Sequence, residues 1–361
     1  MDPLLLTPGP LTTDPAVRAA MRRDYGSRDP AFVALCTRVR ERLRALAPEP
    51  EAFTAIPLQG SGTYAVEAML GTLVPRGGGV AVLVHGVYGE RVVDILRRMG
   101  RHHRAFVAVE GSAPDLQALD RGLADDPLLT HVFTVHSETT TGQLLPVEAI
   151  STVAERRGRR LLVDAMSSLG AIALDGVVAD GIASSANKCL EGVPGLGFVL
   201  ARREALGASA GNAPSVSLDL HAQWERLERD GQYRFTPPTQ VLAALDVALE
   251  LHAIQGGVPA RGARYAENMR HLLTGMRALG FQPLLPPERQ GPIIATFVAP
   301  SSPDWSFPAF YDYLRESGFA IYPGSLARTP SFRIGCIGQV YPDDIDRFVA
   351  VVAAWCAKGR T

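Results

Sequence analysis

Two patterns of hydrophobic positions alternate along residues 1–256. Short continuous apolar runs, such as 80–84 and 131–135, are typical of strands that are buried on both faces. Longer stretches, such as 31–46, place apolar side chains three and four positions apart, which puts them on one face of a helix. This alternation predicts an α/β fold whose mainly parallel sheet is flanked by helices.

The same pattern gives the bounds of the individual elements. Strands are predicted over 80–84, 104–109, 131–135, 160–163, 181–183 and 198–200, and residues 3–10 are predicted to form a short strand that ends in a rigid turn. Helices are predicted over 31–46, 64–73, 90–99, 114–123, 147–156 and 241–254. A short helix is expected to begin at Asp14-Pro15, because aspartate caps a helix N-terminus and proline fits its first turn. No element is predicted within 208–239, where Pro237-Pro238 fixes a loop.

The pattern changes after Gly256-Gly257. From there, short separate strands are predicted over 293–297, 320–322 and 331–334. The accompanying helices are predicted over 259–280, 310–316 and 343–357. We therefore predict two domains, a large one over 1–256 and a smaller α+β domain over 257–361.

Composition narrows the class of partner. The formal net charge is −1, and both signs are spread along the chain, which argues against nucleic acid or a membrane surface as the partner. The four cysteines are far apart and lack metal-site spacing, so no metal is expected. No run is long enough to cross a membrane and the first ten residues do not resemble a secretory signal, so a cytoplasmic location is expected.

Side chains that can take part in binding or catalysis follow four of the predicted strands. They are Tyr88, the hydroxyl cluster 137–141, Asp164 and Lys188. Each has an ordinary structural explanation: a core aromatic, turn-forming threonines, a helix cap and a surface charge. Because the carboxyl ends of parallel strands share one edge of a sheet, their joint occurrence instead indicates a binding site there.

Lys188 is one of only two lysines, the other being Lys358 near the C-terminus. Arginine carries the remaining basic charge, and of these two side chains only lysine can form a Schiff base with a carbonyl group. Pyridoxal phosphate requires such a lysine, together with a carboxylate at its ring nitrogen, donors for its phosphate and an aromatic face. Lys188, Asp164, the turn 60–63 and Tyr88 supply these four features, although a Gly/Ser turn is also a common plain helix cap.

The sequence resembles the class V, fold-type I aminotransferases over nearly its whole length. Within this class it is similar to the 2-aminoethylphosphonate–pyruvate transaminase family. The stretches that carry the resemblance are 5–13, 57–63, 138–142, 163–168, 185–189, 234–239 and 332–338. Departures occur at 85–89, where the family more often has Asn-Gly-Ala-Tyr-Gly, and at Ser137, where it more often has cysteine.

The resemblance implies a fold-type I transferase that binds pyridoxal phosphate, and it implies a role for each cofactor-binding residue. Lys188 would hold the cofactor aldehyde, Asp164 would pair with the ring nitrogen, and Tyr88 would stack on the ring. Thr139 would bond the ring hydroxyl. Ser61, Gly62 and Thr63 would hold the phosphate, and Tyr233 and Thr236 would reach the phosphate of a neighbouring subunit, which implies a homodimer with shared active sites.

The resemblance also implies the substrate site and the reaction. Arg333 would bind the acid group of the substrate, the arm 1–14 with Thr7 and Gly9 would close over the site, and Ser27 and Arg28 would lie near the substrate. The expected reaction moves the amino group of 2-aminoethylphosphonate to pyruvate, giving phosphonoacetaldehyde and L-alanine.

Three alternatives to this reaction remain open. The first is an aminotransferase of the alanine– or serine–glyoxylate type, which the cofactor-binding residues cannot distinguish. The second is a non-catalytic cofactor-binding or regulatory protein on the same scaffold. The third is a plain α/β protein without this chemistry, which the four polar groups at successive strand ends argue against.

Overall fold

The computed structural model describes residues 2–324, 326 and 329–359. Its strands are β1 (Leu4–Leu5), β2 (Phe53–Gln59), β3 (Gly79–Val84), β4 (His102–Val107), β5 (Leu129–Val135), β6 (Ser137–Glu138), β7 (Gln143–Leu144), β8 (Arg160–Asp164), β9 (Gly181–Ser185), β10 (Leu196–Arg202), β11 (Ile294–Val298), β12 (Phe319–Ala320), β13 (Tyr322–Pro323) and β14 (Ser331–Gly335). Its helices are α1 (Pro15–Ala19), α2 (Pro30–Arg44), α3 (Gly62–Leu73), α4 (Val87–Arg98), α5 (Leu116–Asp125), α6 (Val147–Arg156), α7 (Arg203–Gly207), α8 (Leu220–Asp230), α9 (Thr239–Ile254), α10 (Gly257–Ala278), α11 (Phe307–Glu316) and α12 (Pro342–Cys356).

The large sheet confirms the predicted α/β fold. Within the described residues it contains seven strands in the order β2-β10-β9-β8-β5-β3-β4. Its neighbouring strands run parallel except around β10, which is antiparallel to both β2 and β9. Each strand predicted between 80 and 200 overlaps one of these strands. Apart from the exposed edge strand β4, their central residues are buried, as two helical layers require.

Helices cover both faces of the large sheet. One face packs its buried residues against α2, α5, α6 and α9. The other face packs against α3, α4, α7 and α8. This layering explains the sequence pattern, because a strand covered on both sides can be apolar at every position, whereas each helix needs only one apolar face.

The C-terminal residues build a separate core. In the described part, β11, β14 and β13 form an antiparallel sheet, and α10, α11 and α12 pack with it around aromatic side chains. The N-terminal strand β1 joins this region, because it pairs in parallel with β12. Helices α9 and α10 meet at a bend of 83° beside Gly256 and Gly257, the predicted boundary. The division into domains 1–256 and 257–361 itself stays a prediction.

Helix α8 was missed by the sequence analysis. The pattern gave no element within 208–239, yet Leu220, Gln223 and Leu227 form a buried helical face. Asp219 caps the helix by accepting a hydrogen bond from the backbone N–H of Ala222. The buried glutamine and the many charged residues on the other face hid the periodicity of this helix.

No single described helix is long and apolar enough to span a membrane. Only the bent pair α9 and α10 passes such a test of length and composition when its two helices are taken together.

Candidate active site

A cavity of about 210 Å³ lies at the carboxyl ends of β8 and β9. The structure brings six of the predicted site residues to its wall: Ser61, Gly62, Thr63, Tyr88, Asp164 and Lys188. Among the further residues that line it are Arg91, Met166, Ser185 and Asn187, which sequence reasoning did not assign to the site. The convergence follows from topology, since β8 and β9 are parallel neighbours that end at the same edge of the sheet.

Lys188 lies in the turn that follows β9. Its Nζ donates a hydrogen bond to the carbonyl oxygen of Pro8 at 2.5 Å. Burial lowers the pKa of Lys188 to about 8, because the charged ammonium form is poorly solvated there. About a tenth of this amine is therefore neutral at pH 7, far more than for an ordinary lysine, and the neutral form is the one that a nucleophile or a base requires.

Asp164 is the last residue of β8. Its Oδ1 accepts a hydrogen bond from the backbone N–H of Met166 at 2.9 Å. Burial raises the pKa of Asp164 to about 6, although this hydrogen bond and the charges of Lys188 and Arg91 oppose the shift. A cationic ring nitrogen placed against this carboxyl group would favour its charged form.

The N-terminus of α3 forms one end of the cavity. Ser61 is the N-cap residue, but its side chain makes no capping hydrogen bond, so the first backbone N–H groups of the helix are available to a ligand. Arg91 Nη1 donates to Thr63 Oγ1 at 3.2 Å, and its guanidinium lies 4.9 Å from the centre of the Tyr88 ring. A helix N-terminus beside an arginine suits a phosphate group.

Gly62 is close to Met166 at this end of the cavity. A Cβ atom at position 62 would lie 2.2 Å from Met166 Sδ, so the methionine would have to move. We expect Gly62→Ala to displace Met166 into the cavity and to weaken cofactor binding by about tenfold, the cost of a modest steric misfit. The dissociation constant of pyridoxamine phosphate, measured by fluorescence titration, checks this.

Gly207→Ala is the matched control for this substitution. Gly207 ends α7, and among the described residues outside its own helix none has an atom within 4 Å of an added Cβ. The cofactor affinity of Gly207→Ala should equal that of the wild type. Equal affinities for all three proteins would show that Met166 has room to move without narrowing the cavity.

Glu138 ends β6, and Thr139 begins the loop that leads from β6 to β7. Glu138 interacts with Tyr88 and Asp164, which line the cavity. Thr139 Oγ1 is buried and has no hydrogen-bond partner among the described residues. Glu138 Oε1 accepts hydrogen bonds from the backbone N–H of Thr140 at 3.0 Å and from its hydroxyl at 2.6 Å. Burial raises the pKa of Glu138 to about 7. A ring hydroxyl of a bound cofactor would supply the partner that Thr139 lacks.

Arg333 extends from β14 towards the same loop. Its Nη1 donates to the carbonyl oxygen of Thr139 at 3.2 Å, and its Nε donates to that of Pro323 at 3.0 Å. Its positive charge is also one cause of the lowered pKa of Lys188, although burial is the largest. The guanidinium is thus held near both the lysine and the loop by backbone carbonyl groups.

The N-terminal arm lies over Lys188. Thr7 is buried, and its Oγ1 donates to the carbonyl oxygen of Pro10 at 2.5 Å and accepts from the N–H of Gly9 at 3.3 Å. A Cβ atom on Gly9 would lie 2.6 Å from the carbonyl oxygen of Asn187 and 2.8 Å from Lys188 Cδ. Only glycine permits this approach, and its φ of +104° also requires it.

Four predicted residues lie away from the cavity in this single chain. Ser27 and Arg28 precede the cap of α2, and Arg28 is exposed. The Tyr233 hydroxyl is buried within its own chain, and burial raises its pKa well above 10. Thr236 is exposed and lines a second cavity of about 430 Å³. The roles suggested for these four residues stay predictions.

The cavity fits pyridoxal phosphate by its own chemistry. It offers free N–H groups for a phosphate, an aromatic ring, a buried carboxyl group and an amine with a lowered pKa. The orphaned hydroxyl of Thr139 adds a partner for a polar group on the ring. In that position the cofactor would supply an electron-withdrawing ring, which the protein cannot provide itself.

Comparisons with known proteins agree with this chemistry. The family model for aminotransferase class V matches residues 20–338. The 2-aminoethylphosphonate–pyruvate transaminase of Burkholderia ambifaria (strain MC40-6) is 50% identical over 98% of this chain and 95% of its own. Pyridoxamine–pyruvate aminotransferase from Mesorhizobium loti superimposes with a TM-score of 0.90 at 27% identity, covering 100% of this chain and 94% of that one. Alanine–glyoxylate aminotransferase from Nostoc sp. gives a TM-score of 0.90 at 26% identity, covering 98% and 95%. The chain therefore belongs to the class V aminotransferases, which are pyridoxal phosphate enzymes.

Proposed function

We propose that this enzyme transfers the amino group of 2-aminoethylphosphonate to pyruvate, giving phosphonoacetaldehyde and L-alanine. The observation that carries the proposal is the 50% identity, over almost the full length, with transaminases named for these substrates. The alanine–glyoxylate aminotransferase that shares the fold is only 26% identical. The glyoxylate alternative is therefore less well supported, although the residues around the cavity fit both.

The roles proposed for the residues follow from their positions. Lys188 Nζ would hold the cofactor aldehyde, and its neutral amine would serve as the base that moves the proton at the substrate carbon next to nitrogen. Asp164 keeps the ring nitrogen charged, and Tyr88 packs on the ring. Ser61, Gly62 and Thr63 anchor the phosphate, with Arg91 as an additional cation. The bound cofactor would stabilise negative charge on the substrate carbon.

Arg333 is the proposed anchor for the acid group of each substrate. Its planar guanidinium can bind a phosphonate or a carboxylate through paired hydrogen bonds. Its hydrogen bonds to Thr139 and Pro323 hold it in place. The same strand, β14, contacts the N-terminal arm, because the N–H of Gly335 donates to the carbonyl oxygen of Leu6 at 2.9 Å. One arginine could therefore serve the amino donor and the acceptor in turn, with Thr7 and Gly9 excluding water.

We further propose that the enzyme is a homodimer with shared active sites. Tyr64 and Phe235, which are 52% and 51% exposed, line the second cavity together with Thr236. Exposed aromatic side chains are typical of protein interfaces. Light scattering tests the dimer, because the molar mass in solution should be twice that of one chain. The cytoplasmic location and the approach of Ser27 and Arg28 to the substrate remain part of the proposal.

The activity test uses the purified enzyme with pyridoxal phosphate. We expect 2-aminoethylphosphonate and pyruvate to yield alanine and phosphonoacetaldehyde in equal amounts. Phosphorus and proton NMR measure the two products. Serine or alanine with glyoxylate should react at least about tenfold more slowly, since the proposed site binds a phosphonate donor.

Two outcomes would change the assignment. Turnover with serine and glyoxylate but not with the phosphonate would replace the substrate and keep the class. Cofactor binding without turnover of any amino donor would favour the non-catalytic alternative.

A further inference from the structure

Glu191 is a buried carboxylate three residues after Lys188. Its Oε1 accepts hydrogen bonds from Arg264 and from the Tyr265 hydroxyl, the latter at 2.5 Å. Arg261 Nη1 lies 3.2 Å from the same oxygen. Oε2 accepts a hydrogen bond from Gln339 Nε2 at 2.6 Å. We call this group of Glu191, Arg261, Arg264, Tyr265 and Gln339 the Glu191 network.

The backbone of Glu191 is as unusual as its side chain. Its φ is +57°, and it is the one described residue other than glycine with a positive φ. Its N–H donates to the carbonyl oxygen of Lys188 at 2.8 Å, which closes the turn that carries the lysine. A glutamate in a left-handed conformation persists only where its surroundings hold it there.

The network joins the lysine turn to helix α10. Glu191 is 3% exposed and Arg261 is 2% exposed, so both charges are removed from water. Arg261 Nη1 also donates to the carbonyl oxygen of Cys189 at 2.7 Å. Buried ion pairs seldom add net stability, but removing one partner leaves a charge uncompensated. The network is therefore weak evidence of added stability, and what it does show is a fixed contact between the lysine turn and α10.

The network also reaches the N-terminal arm. Gln339 donates its backbone N–H to the carbonyl oxygen of Thr12 at 2.9 Å. Tyr265 Oη accepts a hydrogen bond from the N–H of Gly338 at 3.3 Å. The arm then continues to Pro8, whose carbonyl oxygen holds Lys188 Nζ. Lys188 is thus connected to the network at both its backbone and its side chain.

We propose that Glu191 is a positioning residue for Lys188. By fixing the turn against α10 and the arm, it sets the position of Nζ relative to the cofactor aldehyde. It does not touch the cavity, so the phosphate and ring sites should be independent of it. This inference rests on the proposed role of Lys188 as the point of cofactor attachment.

The test compares two cofactor forms on the apoenzyme. Pyridoxamine phosphate has no aldehyde, so its affinity reports the phosphate and ring sites alone. The rate of covalent attachment of pyridoxal phosphate reports the position of Lys188. For Glu191→Gln we expect attachment at least tenfold slower, with the dissociation constant of pyridoxamine phosphate changed less than twofold.

A second variant with a smaller perturbation keeps the test valid if Glu191→Gln does not fold. Tyr265→Phe removes one hydroxyl donor and leaves all charges paired, and it should slow attachment about threefold with pyridoxamine phosphate affinity retained. The matched control is Glu267→Gln, because Glu267 lies on the same helix in an exposed ion pair with Arg270. This control should behave as the wild type in both assays.

The outcomes separate this inference from the proposed function. Absence of covalent attachment in the wild type would overturn the role of Lys188. Normal attachment in the wild type, Glu191→Gln and Tyr265→Phe alike would overturn the positioning role alone. If Glu191→Gln loses affinity for pyridoxamine phosphate to the same extent as it loses the rate of pyridoxal phosphate attachment, the network is merely structural.

Discussion

Replacing Lys188 with alanine is expected to abolish covalent attachment of the cofactor and to lower the transamination rate by at least about 1,000-fold. The expected loss is large because, in the proposed mechanism, one amine serves both as the attachment point and as the base that moves the proton. Pyridoxamine phosphate should still bind, since the phosphate and ring sites do not include this side chain. Absorbance of the bound cofactor and steady-state rates give the two measurements.

The chain provides its own control for this experiment. Lys358 is the other of its two lysines and lies 4.6 Å from the centre of the Tyr313 ring, far along the sequence from the cavity. Lys358→Ala should keep full activity. Reduction with borohydride followed by peptide mass spectrometry should place the cofactor on Lys188 alone. A cofactor found on Lys358, or activity retained by Lys188→Ala, would contradict the assignment.

The pH dependence of attachment provides a second measurement on the same residue. Neutral amines attack aldehydes, and burial lowers the pKa of Lys188 to about 8. The attachment rate should therefore rise with pH and level off slightly above pH 8. An ordinary solvated lysine would continue to gain reactivity up to about pH 10, its usual pKa. A rate that continues to rise to that pH would show that the amine is not desolvated in solution.

Much of the fold could be predicted from the sequence because its strands are apolar at nearly every position. The strand at 131–135 and the helix at 147–156 are examples, since both lie within elements whose buried residues follow the expected period. The position of Asp164 and Lys188 at one edge followed from the same logic. Parallel strands present their carboxyl ends together, so the residues after them meet.

Contacts between distant parts of the chain could not be predicted in this way. The position of Arg91 near the site could have been predicted, because Arg91 lies one helical turn after Tyr88 and so faces the same side of α4. The position of Glu191 could not, since its partners lie on α10 and at Gln339. Local patterns cannot show which charges the fold removes from water together. Only the three-dimensional structure does so.

The second large effect is expected from Asp164→Asn. Asparagine keeps the size of the side chain but cannot hold a positive charge on the ring nitrogen. Breaking a buried charge pair in this way should lower the transamination rate on the order of 10²–10³-fold and weaken binding of pyridoxamine phosphate. Steady-state rates and fluorescence titration measure the two effects.

The same substitution should change how the stability of the cofactor-free protein depends on pH. Burial raises the pKa of Asp164 from 3.8 to about 6, so the folded chain keeps a proton that the unfolded chain has already released. The free energy of unfolding contributed by this group is therefore full below about pH 4 and falls as the pH rises to about 6, by about 3 kcal/mol at most. Thermal unfolding of Asp164→Asn should lack this part of the decline.

Asp180 is the matched control, because it is a second buried aspartate beside the same pair of strands. It immediately precedes β9, at the edge opposite to Asp164, and burial raises its pKa as well. Asp180→Asn should also alter the pH dependence of stability, yet leave cofactor affinity and rate unchanged. If both variants lose cofactor affinity equally, the effect of Asp164 lies in the stability of the sheet. If only Asp164→Asn loses cofactor affinity, the effect comes from the contact between the Asp164 carboxylate and the cofactor at the carboxyl edge of the sheet.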